Sequence, residues 1–360
     1  MRTSFDVAIA GGGIVGAACA LYCAEAGLSV AVAEPGPIGG GATAAGMGHV
    51  VVMDDSPAQL ALTEYSRRLW LEMIPELPAE VEYLPCGTIW VAADEEELAE
   101  CHRKQALAAH VRMEVIDGRE LAELEPHLRP GLAGGLLVHD DSTIYPPCAA
   151  AYFLRRSGAA LFRHAAVEIS GAALRLADGT TLSAAITINA TGAWASEVRR
   201  RKGHLAITDR YPGFVRHVLV ELGYLKSAHS ISGDSVAFNA QPRRSGQVLL
   251  GSSRQYVETR DVEAPMLARM LRRCEEYMPG LAELTTVRTW TGFRAATPDK
   301  LPLIGPTPAD HRLYLATGHE GLGITTSLAT GRLVADRIVG RQSEIDAGAY
   351  LPGRSYEGHD

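Results

Sequence analysis

The chain has 360 residues, 47% of them hydrophobic, and carries a formal net charge of −8 at pH 7. That length favours two domains over one small core. The acidic balance argues against a nucleic-acid partner, because no long block concentrates the basic residues. The six cysteines follow no Cys-x-x-Cys spacing, so we predict no zinc, iron–sulfur or other metal site.

The start of the chain leaves no room for a secretion signal. The first apolar run begins at Phe5, too early for a charged region, an apolar region and a cleavage site. No apolar run reaches the roughly 18 residues that a transmembrane helix requires. We therefore expect a cytoplasmic chain with no transmembrane segment, for which peripheral contact with the inner face of the membrane stays open.

The first part of the chain follows the order strand, glycine turn, helix, strand. Residues 5–10 predict a buried parallel strand, and residues 14–26 predict a helix with almost no charge. Between them, Gly11 permits a tight turn, Gly13 leaves room for a pyrophosphate against the backbone, and Gly16 lets helix and strand pack closely. The N-terminus of the helix would then face the phosphates.

A second apolar run, residues 28–33, ends in Glu34, where a carboxylate is expected to meet a ribose hydroxyl pair. An arginine there would have indicated a phosphorylated ribose. A lone glycine motif is weak, but here every element of its context is present, so the stretch predicts a Rossmann-like dinucleotide site. This stretch alone does not decide between FAD and NAD.

Residues 35–49 are dense in small residues and predict a loop that lies flat against a bound cofactor. An apolar segment, residues 50–53, follows at once and argues against a disordered linker. Ser56 as N-cap and Pro57 in the first turn predict a helix to about Ile74.

From Tyr83 onward the pattern changes to short strands and surface helices. The predicted elements are strands at 87–92, 113–116 and 134–139, an acidic helix at 94–109, a helix from about 145 to 156, and strands at 160–162, 173–176 and 182–188. The last strand runs into Ala190-Thr191-Gly192, a second place where bare backbone can approach a cofactor, and a helix is predicted after it. The basic run at residues 199–202 is interpreted as a solvated helix end.

The remaining chain predicts a second domain and a return to the first. Predicted elements are strands at 214–221, 235–239, 247–251, 285–293 and 313–318, and helices at 263–277 and 324–339. We predict an α/β fold with a parallel sheet in residues 1–82, 141–210 and 300–345. An α+β second domain with an antiparallel sheet is expected in residues 83–140 and 211–299, and a loose tail in residues 346–360.

Several motifs stand in a fixed order along nearly the whole chain: the glycine turn with Glu34, the loop at 40–47, Ala190-Thr191-Gly192, the sequence GFRAATPD at 292–299, PLIG at 302–305, and the glycine turn at 318–323. This combination resembles the D-amino-acid-oxidase-like family of FAD enzymes, which includes glycine oxidase, sarcosine oxidase and D-amino acid dehydrogenase. Residues 46–55 and 318–323 look most like the β subunits of hydroxyproline or proline dehydrogenases.

The resemblance implies FAD as cofactor and assigns residues to its parts. The ADP half would be held by the first glycine turn and its acid (Gly11, Gly13, Ile14, Val15, Gly16, Glu34), by Thr191 and Gly192, and at the adenine by the backbone of Val167. The flavin ring would be lined by Thr43, Ala44, Ala45 and Met47, and by Gly318, Gly321, Leu322, Gly323 and Ile324. The helix that follows would stabilise negative charge on the reduced ring. No cysteine lies near this C-terminal segment, so we expect non-covalent FAD.

Oxidation of an amino acid by a flavin requires a clamp that aims the substrate Cα–H at the ring. An arginine fork suits a carboxylate best, and the resemblance implies that Arg294 has this role; a structural ion pair is the alternative. His319 is predicted either to contact the ring or substrate or to cap its turn. His49 is a further candidate for the catalytic site.

We therefore expect oxidation of a small amino or imino acid by hydride transfer from the substrate Cα–H to flavin N5, giving an imine. Proline, D-hydroxyproline, sarcosine, glycine and D-amino acids all fit. A pyridine-nucleotide-dependent flavin reductase is disfavoured, because it needs a second GxGxxG motif and often a redox cysteine pair. An FAD-binding subunit whose catalysis lies in a partner stays open, as does the electron acceptor.

Overall fold

Two sheets organise the protein, which is described here from a computed structural model covering residues 3–52, 56–108, 110–223 and 233–354. The strands in chain order are β1 (Ser4–Ala10), β2 (Val30–Ala33), β3 (His49–Val50), β4 (Thr88–Ala92), β5 (Met113–Asp117), β6 (Gly134–Val138), β7 (Ser142–Thr143), β8 (Ala160–Phe162), β9 (Ala166–Ser170), β10 (Ala173–Leu176), β11 (Thr181–Asn189), β12 (Arg199–Arg210), β13 (Val218–Glu221), β14 (Ser235–Pro242), β15 (Gln247–Arg254), β16 (Thr286–Ala296), β17 (Leu303–Pro306) and β18 (Leu313–Thr317).

The α-helices of the described chain are α1 (Ile14–Glu25), α2 (Ala42–Ala45), α3 (Pro57–Met73), α4 (Glu95–Leu107), α5 (Gly118–Leu124), α6 (Pro146–Ser157), α7 (Ala264–Tyr277) and α8 (Ser327–Ile338). The predicted N-cap of α3 is confirmed by its hydrogen bond, and α4 has an N-cap of the same kind. Ser56 accepts from Gln59 N at 3.2 Å and starts α3, and Asp94 accepts from Glu97 N at 2.9 Å and starts α4.

The first sheet has the order β17-β18-β11-β1-β2-β8, and β9 and β10 extend from β11. Strands β18, β11, β1, β2 and β8 run parallel, so their carboxyl ends meet at one edge. The second sheet has the order β16-β12-β15-β14-β13-β4-β6-β5, and it is antiparallel except between β4 and β13. The predicted α/β fold with one parallel and one mainly antiparallel sheet is confirmed.

Helix α1 is nearly free of charge because it is buried between the first sheet and the helices α6 and α8. Two glycines permit this close packing. A Cβ on Gly16 would lie 2.0 Å from Gly11 O, and one on Gly331 of α8 would lie 2.5 Å from Ala18 O. A second core forms where α7 covers one face of the second sheet. The opposite face of that sheet is left to line the site described below.

The basic run at residues 199–202 is not a solvated helix end, as the sequence had suggested. It lies inside β12, where Arg201 is 5% exposed and Lys202 is 0% exposed. Successive side chains of a strand point to opposite faces, and each buried cation meets a distant carboxylate. Lys202 Nζ donates to Glu263 Oε1 at 2.6 Å, and Arg201 Nη1 donates to Glu320 Oε1 at 3.2 Å.

Two further predictions around this strand are wrong. Residues 199–210 pair with β15 and β16 and so belong to the second sheet, whereas residues 141–210 were assigned to the first domain. The helix predicted after Gly192 is a single 3-10 turn, Gly192–Trp194. Gly192 has a φ of +61°, a left-handed conformation that redirects the chain instead of starting an α-helix.

The tail predicted to be loose, residues 346–360, is packed as far as Arg354. Tyr350 is 1% exposed and its hydroxyl donates to Ala58 O at 2.6 Å. Arg354 Nε and Nη2 donate to the two carboxylate oxygens of Asp299 at 2.7 and 2.9 Å. The predictions that fall on residues 53–55, 109 and 355–360 lie outside the described residues. In the part that is described, no helix is long and apolar enough to cross a membrane.

Candidate cofactor and substrate site

Residues from both sheets line one cavity of about 850 Å³. One wall is formed by the carboxyl ends of parallel strands, with Ala10, Ala33 and Thr317 as the last residues of β1, β2 and β18. Ligands of open α/β sheets bind at this edge. The other wall is the face of the second sheet that α7 does not cover. A molecule bound at the edge of the first sheet and a molecule bound on the second sheet would therefore be in contact in this cavity.

Most of the residues singled out from the sequence line this cavity. They are Gly11, Gly13, Ile14, Val15, Glu34, Thr43, Ala45, Met47, His49, Thr191, Gly192, Arg294, His319, Gly321, Leu322, Gly323 and Ile324. Their convergence is a property of the fold, since they come from six separate segments of the chain.

Four of the singled-out residues are not among the lining residues. Gly16 serves the packing of α1, as described above. Gly318 has a φ of +80°, and a Cβ there would lie 2.6 Å from Thr297 Cγ2. Ala44 is exposed on α2, and the Val167 side chain is 53% exposed on β9. The adjacent Ala165 and Ala166 do line the cavity, so the strand segment at 165–167 still reaches it.

The glycine turn leaves the N-terminus of α1 open toward the cavity. Gly11 has a φ of +108° and makes the tight turn after β1. Gly13, the N-cap, supplies no side-chain hydrogen bond, and a Cβ added there would lie 3.4 Å from its nearest neighbour, Thr43 Oγ1. Backbone without side chains at a helix N-terminus suits a phosphate group, so the turn fits the pyrophosphate of a dinucleotide.

Glu34 is held by two backbone N–H groups, one in the glycine turn and one shortly after Glu34 in the chain. Its Oε2 accepts from Gly12 N at 2.8 Å, and its Oε1 accepts from Gly36 N at 2.8 Å. These two bonds fix the carboxylate at the rim of the cavity while each oxygen keeps a second lone pair for a ligand. The position fits the ribose hydroxyl pair that the sequence predicted.

His49 and His319 are both uncharged at neutral pH. Desolvation lowers the pKa of each imidazole to about 3. His49 Nε2 lies 2.8 Å from Thr88 Oγ1, and His319 Nε2 lies 2.9 Å from Thr330 Oγ1 on α8. Neither ring therefore brings a positive charge to the site, and each is oriented by a threonine hydroxyl.

Asp141 lies behind His49, and sequence reasoning missed it. Its Oδ2 is 4.0 Å from His49 Nε2, and Arg67 Nη1 is 3.8 Å from its Oδ1. Val52 N donates to the same Oδ1 at 3.2 Å. Burial raises the pKa of this carboxyl to about 7, against the lowering effects of Thr88 and Arg67. No local pattern distinguishes this aspartate from the neighbouring Asp140.

Arg294 lies on the cavity face of β16. Its Nη1 donates to Ser253 O at 3.0 Å, and a Cβ on Gly203 would lie 2.5 Å from the same nitrogen. The absence of a side chain at Gly203 thus makes room for the guanidinium group. Burial lowers the pKa of Arg294, Glu320 raises it and Arg201 lowers it further, but an arginine stays charged at any physiological pH.

The sequence analysis did not include the polar residues of the second sheet that also line the cavity. They are Arg201, Asn239, Gln241, Ser252 and Arg254. Their signal is the alternation of strands: Arg201 and Gly203 on β12, and Asn239 and Gln241 on β14, are two residues apart and share a face. To predict from this alternation that these residues line the cavity, one would have needed to know which face of the sheet α7 covers.

Known proteins of similar sequence include glycine oxidases and a synthase subunit. The chain is 29% identical over 365 residues to glycine oxidase of Geobacillus kaustophilus. This alignment covers 96% of each of the two chains. A crystal structure of glycine oxidase from that species matches with a TM-score of 0.87 and 26% identity over 98% of this chain and 100% of that one. Hydrogen cyanide synthase subunit HcnC of Pseudomonas aeruginosa is 27% identical over 424 residues, 98% of this chain and 97% of the relative.

The L-proline dehydrogenase of P. horikoshii shares the fold, with a TM-score of 0.87 and 22% identity over 98% of both chains. The resemblance stated from the sequence is confirmed, and FAD is the cofactor of the family. Residues 6–337 match the family described as FAD dependent oxidoreductase. Because this match spans most of the chain, the protein belongs to the FAD dependent oxidoreductase family.

Proposed function

We propose that the protein oxidises a small amino or imino acid to the corresponding imine, with the first sheet holding FAD and the second sheet holding the substrate. The observation that carries the proposal is that Arg294 lines the same cavity as the open N-terminus of α1. An arginine fork binds a carboxylate through two parallel hydrogen bonds. Glycine, sarcosine, proline, D-hydroxyproline and other D-amino acids are the candidate substrates.

FAD, when bound, accepts a hydride from the substrate carbon. Arg294 fixes the carboxylate, which orients the Cα–H, and Trp90, Leu205 and Val220 supply an apolar wall that limits water around the reacting carbon. The cations Arg201, Arg254 and Arg294 on the cavity wall disfavour a further positive charge, which favours an amine that has lost its proton.

The cofactor is proposed to be held without a covalent bond. The glycine turn, Glu34 and Thr191 would bind its ADP half, and residues 43–49 and 319–324 would surround the ring. None of the cysteines, all of which belong to the described chain, lines the cavity. The glycine oxidase relative supports the reaction class, and the substrate itself rests on the experiment below.

The test is anaerobic reduction of the FAD-loaded protein by a panel of amines. Loss of the visible flavin absorbance with an amino or imino acid, and not with its decarboxylated amine, supports the proposal. Admission of air afterwards shows whether oxygen reoxidises the flavin. A protein that binds FAD but is bleached by none of the panel contradicts it.

A second candidate is a flavin subunit of a larger assembly, which the likeness to a protein named as a synthase subunit favours. In that case the isolated chain would bind FAD and be reduced slowly or not at all, and addition of a lysate fraction containing the partner would restore reduction by the same amine.

A further inference from the structure

Arg201 and Arg294 are direct partners across two antiparallel strands. In the register of β12 against β16, the Cα atom of Arg201 pairs with that of Arg294, and both side chains line the cavity. Side chains of such a pair begin about 4.5–5.5 Å apart, and like charges placed opposite each other are destabilising. A folded protein that keeps this pair needs an anion beside it.

The protein supplies one such anion, Glu320. Arg201 Nη1 donates to its Oε1 at 3.2 Å, and the Arg201 side chain is 6% exposed. Within the described ranges, Arg201 Nε and Nη2 are buried and have no hydrogen-bond partner. A buried donor without a partner is costly, and more so when it is charged. These two N–H groups are therefore an unused half of a guanidinium fork on a side chain that lines the cavity.

The charges that line the cavity do not balance. The lining acids among the described residues are Glu34 and Glu320, and Glu34 lies at the glycine turn with both oxygens accepting backbone hydrogen bonds. The lining cations are Arg201, Arg254, Arg260, Arg294 and Lys300, and among the described residues Glu320 is the lining carboxylate outside the glycine turn. One substrate carboxylate would satisfy Arg294 and would leave Arg201 with its two unpartnered groups.

We propose that the substrate is an amino or imino acid with a second carboxylate, one carboxylate bound by Arg294 and the other by Nε and Nη2 of Arg201. This inference rests on the proposed function and specifies its substrate class. Because the two arginines are neighbours in register, the substrate is a short dicarboxylate. The uncharged His49 and His319 add no positive charge to these cations, and the register pair Arg201 and Arg294 is assigned the two carboxylates.

The test compares matched monocarboxylates and dicarboxylates as reductants of the FAD-loaded enzyme under anaerobic conditions. Sarcosine is paired with iminodiacetate, and the D and L forms of alanine with those of aspartate, so that the second carboxylate is tried on either side of the amine. We expect the preferred dicarboxylate to have a KM about tenfold or more below its monocarboxylate partner, as one additional charge-assisted pair implies.

Arg201→Gln should abolish that preference by raising the KM of the dicarboxylate about tenfold or more and that of the monocarboxylate far less, and the FAD content should hold. Arg200→Gln is the matched control: Arg200 is the preceding residue, points to the other face of β12 and pairs with Glu258 at 2.7 Å, and its substitution should change neither KM. Equal loss with both substrate classes in Arg201→Gln, loss of FAD from that variant, or a wild type without preference would overturn the proposal.

Binding of acids that cannot be oxidised separates this inference from the proposed function. Succinate and malonate, compared with propionate and acetate, are titrated into the FAD-loaded protein and followed by the change in the flavin spectrum. If no amine bleaches the flavin but the diacids bind about tenfold more tightly to the wild type than to Arg201→Gln, the dicarboxylate site stands and the oxidase assignment fails. If amines bleach it without any preference, the dicarboxylate site alone fails.

Discussion

The Asp141 carboxylate and the His49 imidazole face each other with Oδ2 and Nε2 4.0 Å apart. They do not form a charged pair at neutral pH, because desolvation lowers the pKa of His49 to about 3 and burial raises the pKa of Asp141 to about 7. The pair beside the cavity therefore gains a negative charge, and not a positive one, as the pH crosses neutrality.

The raised pKa of Asp141 predicts that Asp141→Asn becomes more stable relative to the wild type as the pH rises. The pKa of this carboxyl is raised from 3.8 to about 7 in the folded state. Its contribution to the unfolding free energy is therefore greatest below about pH 4. The contribution is lost as the pH rises to about 7, because only the unfolded chain releases the proton in this range. The difference in unfolding free energy should shift in favour of the variant by up to about 1.4 kcal/mol per pH unit across that window. Urea unfolding of both proteins at several pH values measures it.

Subtracting the two curves cancels the opposite contribution of His319, whose lowered pKa makes stability fall as the pH falls below about 6. A difference that does not vary between pH 4 and 7 would show that Asp141 titrates normally and that its neighbours hold it charged.

Substitutions of Arg294 should separate charge from geometry. Arg294→Lys keeps the charge but loses the bidentate fork, so substrate binding should weaken by about 1–3 kcal/mol, and Arg294→Ala should weaken it more. The rate of flavin reduction at saturation should fall as well, since the Cα–H is misplaced. An amine that lacks the carboxylate should be affected far less; equal losses with both substrates would make Arg294 a structural residue.

Gly13 and Gly16 should respond differently to alanine although they lie three residues apart. A Cβ on Gly13 meets nothing closer than Thr43 Oγ1 at 3.4 Å, whereas one on Gly16 would lie 2.0 Å from Gly11 O. Gly13→Ala should therefore fold and bind FAD weakly, because the methyl group occupies the place of the pyrophosphate, and Gly13→Val should abolish FAD binding. Gly16→Ala should lose stability.

The ratio of flavin to protein absorbance and the thermal midpoint with and without FAD distinguish these outcomes. Gly233→Ala, where a Cβ would have no neighbour within 4 Å, is the control for a harmless glycine substitution. Full FAD content in Gly13→Val would mean that the pyrophosphate lies elsewhere.

Acid precipitation should release the flavin into the supernatant, because none of the cysteines lines the cavity. The measurement is the flavin absorbance of the supernatant and of the redissolved pellet. Flavin that stays with the pellet would point to a covalent bond, for which the cavity offers His49 and His319.

The glycine turn could be predicted from the sequence because its determinants are local. Gly11, Gly13 and Glu34 lie within a single strand–helix–strand unit, whose spacing fixes their geometry. Asp141 and Arg201 could not be found this way, because their roles depend on partners far along the chain: Asp141 faces His49, and Arg201 pairs with Glu320, which is 119 residues away.

Arg294 is an intermediate case. The motif around it indicated a carboxylate clamp only through the family resemblance, and nothing local showed that Gly203 makes room for it. The basic run at 199–202 misled the prediction for the same reason. Four cations in a row are usually solvated, and only the register of β12 against β16 shows which of them face the cavity.

The alternation of β12 has a consequence for how the enzyme can diverge. Lys202 anchors the sheet to the residue that precedes α7 through its ion pair with Glu263, while Arg201 and Gly203 face the cavity. Because the ion pair and the cavity-facing side chains occupy alternate positions of β12, substitutions that face the cavity are expected to leave this ion pair intact. When the substrate changes during evolution, substitutions are therefore expected at every second residue of this strand.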